Sequence, residues 1–302
     1  MPEGRPFIGI LLMLGAGLCF AALDATSKYL VQIFPVPMLV WSRYTLHMLL
    51  MVIFLAPSMR TRLIATKRPL ALTVRALLLV GTTGFSFVAY STIPLAEGTA
   101  FLFVTPLIVV ILASWLLKES VTPARWVAII AGFAGVLLIA RPGGALTTQG
   151  IFFMSLAAIC YAVYQIQTRQ LSASENTVTM LFYTALVGTV SMSLTAPLYW
   201  HGISPDWLQA LLIASLGIYG GTGHLLMTRA FRHAPASILS PFLYVQLIWA
   251  MMLGWLFYDN LPDLYSVTGM LVIAVSSLSI ALSERNAKLK LARAAADRDT
   301  AY

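Results

Sequence analysis

Residues 9–30 read GILLMLGAGLCFAALDATSKYL, and residues 150–171, which lie 141 positions further on, read GIFFMSLAAICYAVYQIQTRQL. Aligned without a gap, the two stretches share seven identical residues, including a glycine, a methionine and a cysteine, and Lys28 falls opposite Arg169. Apolar composition alone would align leucines and alanines, but not these residues in one register. The chain is therefore predicted to consist of two copies of one unit.

The composition indicates that both copies lie in a membrane. Of the 302 residues, 59% are hydrophobic and 10% are charged, and the mean hydropathy is +0.85. Soluble domains contain about 25% charged residues, so a soluble fold is excluded. A helix needs about 20 apolar residues to cross a bilayer. Ten segments meet this requirement, at roughly 7–29, 36–57, 71–91, 95–117, 124–141, 150–170, 177–199, 206–228, 237–258 and 264–283.

Five of these segments fall in each copy, and an odd number turns the second copy upside down relative to the first. The prediction is an all-α integral membrane protein whose ten transmembrane helices form two inverted five-helix repeats. The first repeat is expected over residues 1–145, the second over 146–283, and a basic cytoplasmic tail over 284–302. Inverted repeats are typical of secondary transporters, which hold their substrate near the midplane where the repeats meet.

Positive charge is unevenly distributed among the predicted loops. If the N-terminus lies in the cytoplasm, the outer loops PLAEGTA, WHGISPDW and YDNLPD contain no Lys or Arg. Sixteen of the 19 Lys and Arg residues then fall on the cytoplasmic side, namely Arg5, Arg60, Arg62, Lys67, Arg68, Arg75, Lys118, Arg125, Arg169, Arg229, Arg232, Arg285, Lys288, Lys290, Arg293 and Arg298. By the positive-inside rule, this predicts a multi-pass protein of the inner (cytoplasmic) membrane with both termini in the cytoplasm. The net charge of +8 therefore needs no nucleic-acid partner.

Two opposite charges lie within the first two predicted helices. Inserting each charged side chain into the bilayer costs about 2.5–3.5 kcal/mol, so each is expected to have a structural or functional role. Asp24 and Arg43 lie at depths that agree within roughly 2 Å at about 1.5 Å per residue, which makes an ion pair natural. Lys28 is one turn from Asp24 and is a rival partner, and His47 is one turn deeper than Arg43. The pair either fixes the two helices together or binds a charged group of a substrate, and the sequence leaves both readings open.

Two further segments carry a family resemblance. Residues 94–139 read PLAEGTAFLFVTPLIVVILASWLLKESVTPARWVAIIAGFAGVLLI, and residues 234–273 read APASILSPFLYVQLIWAMMLGWLFYDNLPDLYSVTGMLVI. They resemble the paired fourth-to-fifth and ninth-to-tenth helix regions of the drug/metabolite transporter superfamily, EamA type. The shared features are a proline within the helix, a tryptophan and an acidic turn, here Pro106, Trp115 and Glu119 against Pro241, Trp255 and Asp259. The motifs DATSKYL and WSRY resemble the branch that contains S-adenosylmethionine and riboflavin uptake carriers.

The resemblance implies a central cavity between the repeats, contacted by predicted helices 1, 2, 4, 6 and 9. Buried amides and tyrosines need hydrogen-bond partners, which a hydrated cavity would supply. The predicted substrate-binding residues are Asp24, Arg43, Tyr161, Gln165, Tyr244, Gln246 and Trp249. The candidates for coupling or gating are Lys28, His47, Glu97 and His224. The competing interpretation is structural, because many membrane tyrosines and tryptophans are interface anchors and an acid at a helix start is favoured by the dipole.

The resulting functional hypothesis is a secondary transporter that moves a small organic metabolite by alternating access. The alternatives are a channel or a membrane scaffold without transport and, among transporters, an amino acid exporter in place of a carrier of cofactor- or nucleoside-like metabolites. An enzyme is not expected, because the chain lacks HExxH and GxSxG motifs. Four scattered histidines favour no metal site, and no cofactor is expected. The expected partners are the lipid bilayer and the metabolite, with the protein a monomer or weak homodimer.

Overall fold

The computed structural model describes residues 6–59, 63–116, 122–141, 144, 146–172, 174–199, 204–233, 239, 242–279 and 282. The helices are α1 (Pro6–Leu30), α2 (Val36–Met59), α3 (Pro69–Tyr90), α4 (Leu95–Leu102), α5 (Thr105–Leu116), α6 (Pro123–Ile139), α7 (Thr148–Leu171), α8 (Thr177–Tyr199), α9 (Trp207–His233), α10 (Val245–Tyr258) and α11 (Leu264–Ser279). The described residues contain no strand, and the predicted tail 284–302 lies outside them.

Within the described residues, seven helical segments are long and apolar enough to cross a membrane by length and composition, and three shorter apolar helices accompany them. Large apolar side chains face outward, including Trp115 at 77% exposure and Trp255 at 58%. An outward-facing apolar surface is what a bilayer solvates. The all-α membrane class is confirmed, whereas ten crossing helices and an inverted arrangement stay predictions.

The fourth predicted span is broken into two helices, α4 and α5, by a turn at Phe103 and Val104. Pro106 has no N–H to donate to the preceding turn, so the helical ladder is interrupted there. The chain compensates with tighter bonds, since the N–H of Phe103 donates to the carbonyl of Ala100 at 3.0 Å. In the ninth span, Phe242 and Leu243 are helical, and a turn at Tyr244 separates them from α10. Both proline-containing spans therefore bring irregular backbone into the bundle.

The acidic turn of the second half closes helix α10. Asp259 follows that helix in the left-handed region with a φ of 51°, and its N–H donates to the carbonyl of Trp255 at 3.0 Å. Such a residue ends a helix because it turns the chain away from the axis. The corresponding turn in the first half, Lys118–Glu119, lies outside the described residues.

Helices of the first half pack chiefly against helices of the second. Helix α1 packs against α9 and α10, α2 against α8 and α9, and α3 against α7 and α8. The broken pair α4–α5 packs against α7, and α4 also packs against α10. The largest core cluster surrounds α4, α5 and α7. The centre of the bundle is therefore formed by both halves, and a cavity there is lined by both.

Glycines permit the closest of these helix approaches. A Cβ added at Gly135 of α6 would lie 2.8 Å from the carbonyl oxygen of Gly269 of α11, and one added at Gly269 would lie 2.6 Å from the carbonyl oxygen of Gly135. Gly188 of α8 lies against the ring of Tyr44 of α2, and an added Cβ would lie 2.4 Å from its Cγ. Small residues at helix contacts are the usual basis of tight packing in membranes.

Candidate functional site

A cavity of about 410 Å³ lies at the centre of the bundle. Its lining comes from α1, α2, α3, α4, α5, α7, α9, α10 and the residues flanking them, with Ser277 added from α11. The volume is within the range of about 300–1,000 Å³ that is typical of small-molecule sites. All five of the helices predicted to contact a central cavity contribute to this one. The cavity is therefore the candidate site.

Six of the seven predicted substrate-binding residues lie together in this lining. They are Asp24, Arg43, Tyr161, Gln165, Tyr244 and Gln246. Trp249 is not among the lining residues; it is half-buried, and its indole N–H has no hydrogen-bond partner within the described part of the chain. The two halves contribute different chemistry, since both charged groups of the lining, Asp24 and Arg43, come from the first half.

Asp24 and Arg43 both face the cavity without forming an ion pair in this conformation. Asp24 Oδ2 accepts a hydrogen bond from Gln246 Nε2 at 3.4 Å. Arg43 Nη1 donates to the hydroxyl of Thr83, and its guanidinium lies 5.2 Å from the ring centroid of Tyr44. No Asp24–Arg43 contact within 4.0 Å occurs among the described salt bridges. Each charge thus has neutral partners and remains open to a bound group, and their pairing in another state stays a prediction.

Lys28 does not compete for Asp24, so that prediction is wrong for this conformation. Its Nζ donates to the carbonyl oxygens of Ile93 at 2.6 Å and Tyr90 at 3.2 Å, and it lies 5.5 Å from the ring of Tyr258. A helix leaves its last carbonyls without partners, and a cation satisfies them well. The ammonium group of Lys28 therefore binds carbonyls at the C-terminal end of α3 and does not bind the carboxylate of Asp24, which is one turn away.

Of the remaining candidates for coupling or gating, His47 and Glu97 are buried and His224 is half-buried. The ring of His224 lies 6.5 Å from that of His47 with an interplanar angle of 8°, and 5.1 Å from Phe20 edge to face. Only His224 of the two histidines lines the cavity. Glu97 is 2% exposed in the first turn of α4. The described residues contain no group of three or more side chains that could hold a metal ion.

Arg75 lies inside the bundle, although the sequence indicated only a cytoplasmic cation. Its place near the start of α3 made it one of the cytoplasmic cations, but its side chain is only 2% exposed and lies inside the bundle. It donates hydrogen bonds to four groups of α7 and α8. The signal that could have identified it was its position seven residues into an apolar helix, where a Lys or Arg is costly.

An ion pair joins the two halves at the opposite end of the bundle, beyond the helix ends. Arg141 Nη2 lies 2.5 Å from Asp263 Oδ2, and Asp263 also accepts from the N–H of Ser266 at 2.8 Å. The hydrogen bond from Arg141 lowers the pKa of Asp263 to about 2. Exposed pairs of this kind contribute little to stability, so the contact mainly fixes the register of α11 against α6.

Comparisons with known proteins agree with this architecture. Residues 7–141 and 148–282 each match the EamA-like transporter family. The chain is similar to the S-adenosylmethionine uptake transporter of Rickettsia bellii, with 30% identity over 226 residues that cover 74% of this chain and 77% of that protein. It is also similar to the pseudopaline exporter of Pseudomonas aeruginosa, with 26% identity over 286 residues that cover 92% of this chain and 97% of that protein.

The fold is also that of a known structure. A solved crystal structure at 19% identity superposes with a TM-score of 0.64 and covers 92% of this chain and 98% of its own. Two matches to one family, which together span nearly the whole chain, confirm the resemblance that the sequence motifs indicated. The chain therefore belongs to the EamA-like transporter family and is a multi-pass membrane transporter of small metabolites.

Proposed function

We propose that the protein is a secondary transporter of the inner membrane, which moves a small zwitterionic metabolite by alternating access with the substrate held between two inverted halves. The observation that carries this proposal is the pair of opposite charges, Asp24 and Arg43, that face one central cavity without contacting each other. Both termini are placed in the cytoplasm by the positive-inside rule.

The pattern of helix contacts supports two equivalent halves. If α1, α2 and α3 are exchanged with α7, α8 and α9, the α1–α9 contact becomes the α7–α3 contact, and both are extensive. The α2–α9 contact likewise becomes α8–α3, and the α1–α10 contact becomes the packing of α7 on α4 and α5. The two family matches begin at residues 7 and 148, with the same offset as the sequence repeat. A two-fold relation between the halves would produce this pattern.

The lining favours a substrate with one positive and one negative group. The carboxylate of Asp24 suits an ammonium or other cation, and the guanidinium of Arg43 suits a carboxylate. Ser86, which lies in the lining, adds a buried hydroxyl that has no hydrogen-bond partner among the residues that the structure describes. Phe20, Phe87 and Phe103 provide an apolar surface for the body of the molecule. S-adenosylmethionine, the substrate named for the Rickettsia relative, has an amino acid group of this type.

A ligand screen on the purified protein tests this proposal. We expect S-adenosylmethionine or another amino acid-type zwitterion to raise the melting temperature, because a ligand at about 100 times its Kd adds about 2.7 kcal/mol to folding stability. The Arg43→Met variant should lose this shift. The matched control Arg68→Met, which removes an exposed cation of the same chain, should retain it.

Two results would count against the proposed substrate class. Adenosine and simple cations lack a carboxylate, so melting-temperature shifts equal to that of the zwitterion would show that the carboxylate is not recognised and would contradict the zwitterionic substrate. A shift that survives Arg43→Met would contradict the assignment of Arg43. Uptake or efflux of the stabilising ligand by proteoliposomes then distinguishes transport from binding alone.

A further inference from the structure

Arg75 is a buried charge outside the cavity lining. It lies on α3 near the helix start, at the end of the bundle that the charge distribution predicts to be cytoplasmic. Its side chain is 2% exposed, and no carboxylate pairs with it among the described salt bridges. A guanidinium is always charged, so its burial requires a set of hydrogen-bond acceptors.

All of these acceptors belong to the second half. Arg75 Nε donates to Thr168 Oγ1 at 2.7 Å, and Nη2 donates to the hydroxyl of Tyr164 at 2.7 Å, both on α7. Nη1 donates to the carbonyl oxygen of Met180 and to Thr184 Oγ1, each at 3.0 Å and both on α8. One side chain of the first half therefore holds two helices of the second half.

The geometry is specific to a guanidinium. Its carbon lies 4.4 Å from the ring centroid of Tyr164, so the same tyrosine binds it through both the ring face and the hydroxyl. The planar fork bonds α7 and α8 at once, which a single ammonium on a flexible stem does less well. All four hydrogen bonds of Arg75 can form only while α3, α7 and α8 remain together.

The cluster lies directly beyond the cavity. The ring of Tyr161, which lines the cavity, stacks on the ring of Tyr164 at 5.7 Å with an interplanar angle of 14°. Leu79, one turn after Arg75 on α3, also lines the cavity. A pathway that opens from the cavity toward this end must separate α3 from α7 and α8.

We infer that Arg75 is a latch that closes the cytoplasmic end of the substrate pathway, and that its four hydrogen bonds must break before the halves separate there. The inference rests on the proposed alternating-access function. Arg75 acts here as a positioning residue, because it sets the ratio between the two open states through α7 and α8. Weakening the latch should shift the population toward the state that is open to the cytoplasm.

Sided chemical labelling tests the latch. Ser86→Cys supplies a reporter in the cavity lining, in a background in which Cys19 and Cys160 are replaced by Ala. A membrane-impermeant maleimide is applied to right-side-out and to inside-out vesicles. With Arg75→Met added, we expect cytoplasmic labelling to become about tenfold faster and outside labelling to become slower, because bonds from charged donors are among the stronger ones.

Two variants and one control make the result specific. Tyr164→Phe removes one acceptor and keeps the ring, so it should give a smaller change in the same direction. Arg75→Lys keeps the charge without the fork and should fall between wild type and Arg75→Met. Arg68→Met removes an exposed cation just before α3 and should leave both labelling rates unchanged.

An unchanged rate of labelling from the cytoplasmic face, or an equal increase in the labelling rate from both faces, would overturn the proposed role of Arg75. If Arg75→Met does not reach the membrane, Tyr164→Phe decides the question in the same assay. Because labelling reports access and not transport, unchanged rates in a protein that still transports would refute the latch alone. The proposed function would be refuted instead if the wild-type protein transports no candidate substrate and the Ser86→Cys protein with Arg75 intact is labelled from one face only.

Discussion

Replacing Asp24 by Asn or Arg43 by Met is expected to lower transport by about 100-fold. Each change removes one charge from the cavity, and the loss of one charged partner of a buried, hydrogen-bonded group costs about 2–5 kcal/mol. Initial rates of uptake into proteoliposomes measure the loss. Asp263→Asn removes an exposed carboxylate and serves as the matched control, with transport expected to remain near that of wild type.

The double variant distinguishes a substrate site from a structural clamp. In this conformation Asp24 is hydrogen-bonded to Gln246 and Arg43 is hydrogen-bonded to Thr83. Neither charged side chain therefore requires the other for folding. We expect the two single changes to cost stability additively in a double-mutant cycle, and the double variant to fold without transporting. A double variant that transports would show that the pair only clamps the helices.

Gly188→Ala is expected to lower the stability of the folded protein by about 1–3 kcal/mol, the usual cost of overpacking a core. The added Cβ would lie 2.4 Å from Cγ of Tyr44. That ring cannot move aside freely, because its hydroxyl is bonded to the carbonyl of Leu79 at 3.0 Å and to Thr83 at 2.8 Å. Thermal unfolding in detergent, followed by the loss of monodisperse protein, measures the effect.

Gly84→Ala is the matched control for this change. An added Cβ at Gly84 meets no atom within 4 Å, so alanine there should raise stability by about 0.5–1 kcal/mol through its better helix propensity. Equal effects of the two substitutions would show that α2 and α8 do not approach closely at Gly188. This result would contradict the packing of the first half against the second at this contact.

Much of the site could be predicted because polar groups in a bilayer are conspicuous. Asp24, Arg43 and Gln165 stand out in apolar helices, and the rise per residue gives their depth without a structure. The register of the repeat likewise predicted which segments correspond. These inferences concern one helix at a time, or two helices joined by a short loop, where spacing along the chain determines proximity.

Contacts between distant helices could not be predicted in this way. Lys28 shares a helix face with Asp24, but it binds the carbonyls of Tyr90 and Ile93, which are more than 60 positions away in the chain. Arg75 was predicted only as a cytoplasmic cation, and its acceptors on α7 and α8, about 90 to 110 positions away in the chain, could not be identified from spacing. Trp249 was predicted to bind substrate but does not line the cavity, because the position of a residue along a helix does not specify which way its side chain faces around the helix axis.

The inverted arrangement of the two halves places two corresponding loops on opposite sides of the membrane, and the sidedness of these loops can be measured. Position 32 lies between α1 and α2, and position 174 lies in the matching connection between α7 and α8. Gln32→Cys and Ser174→Cys are made separately in the background without Cys19 and Cys160, and intact cells are treated with a membrane-impermeant maleimide. We expect labelling of position 32 from outside and of position 174 only after the cytoplasmic face is exposed. Labelling of both positions from the same side would contradict it.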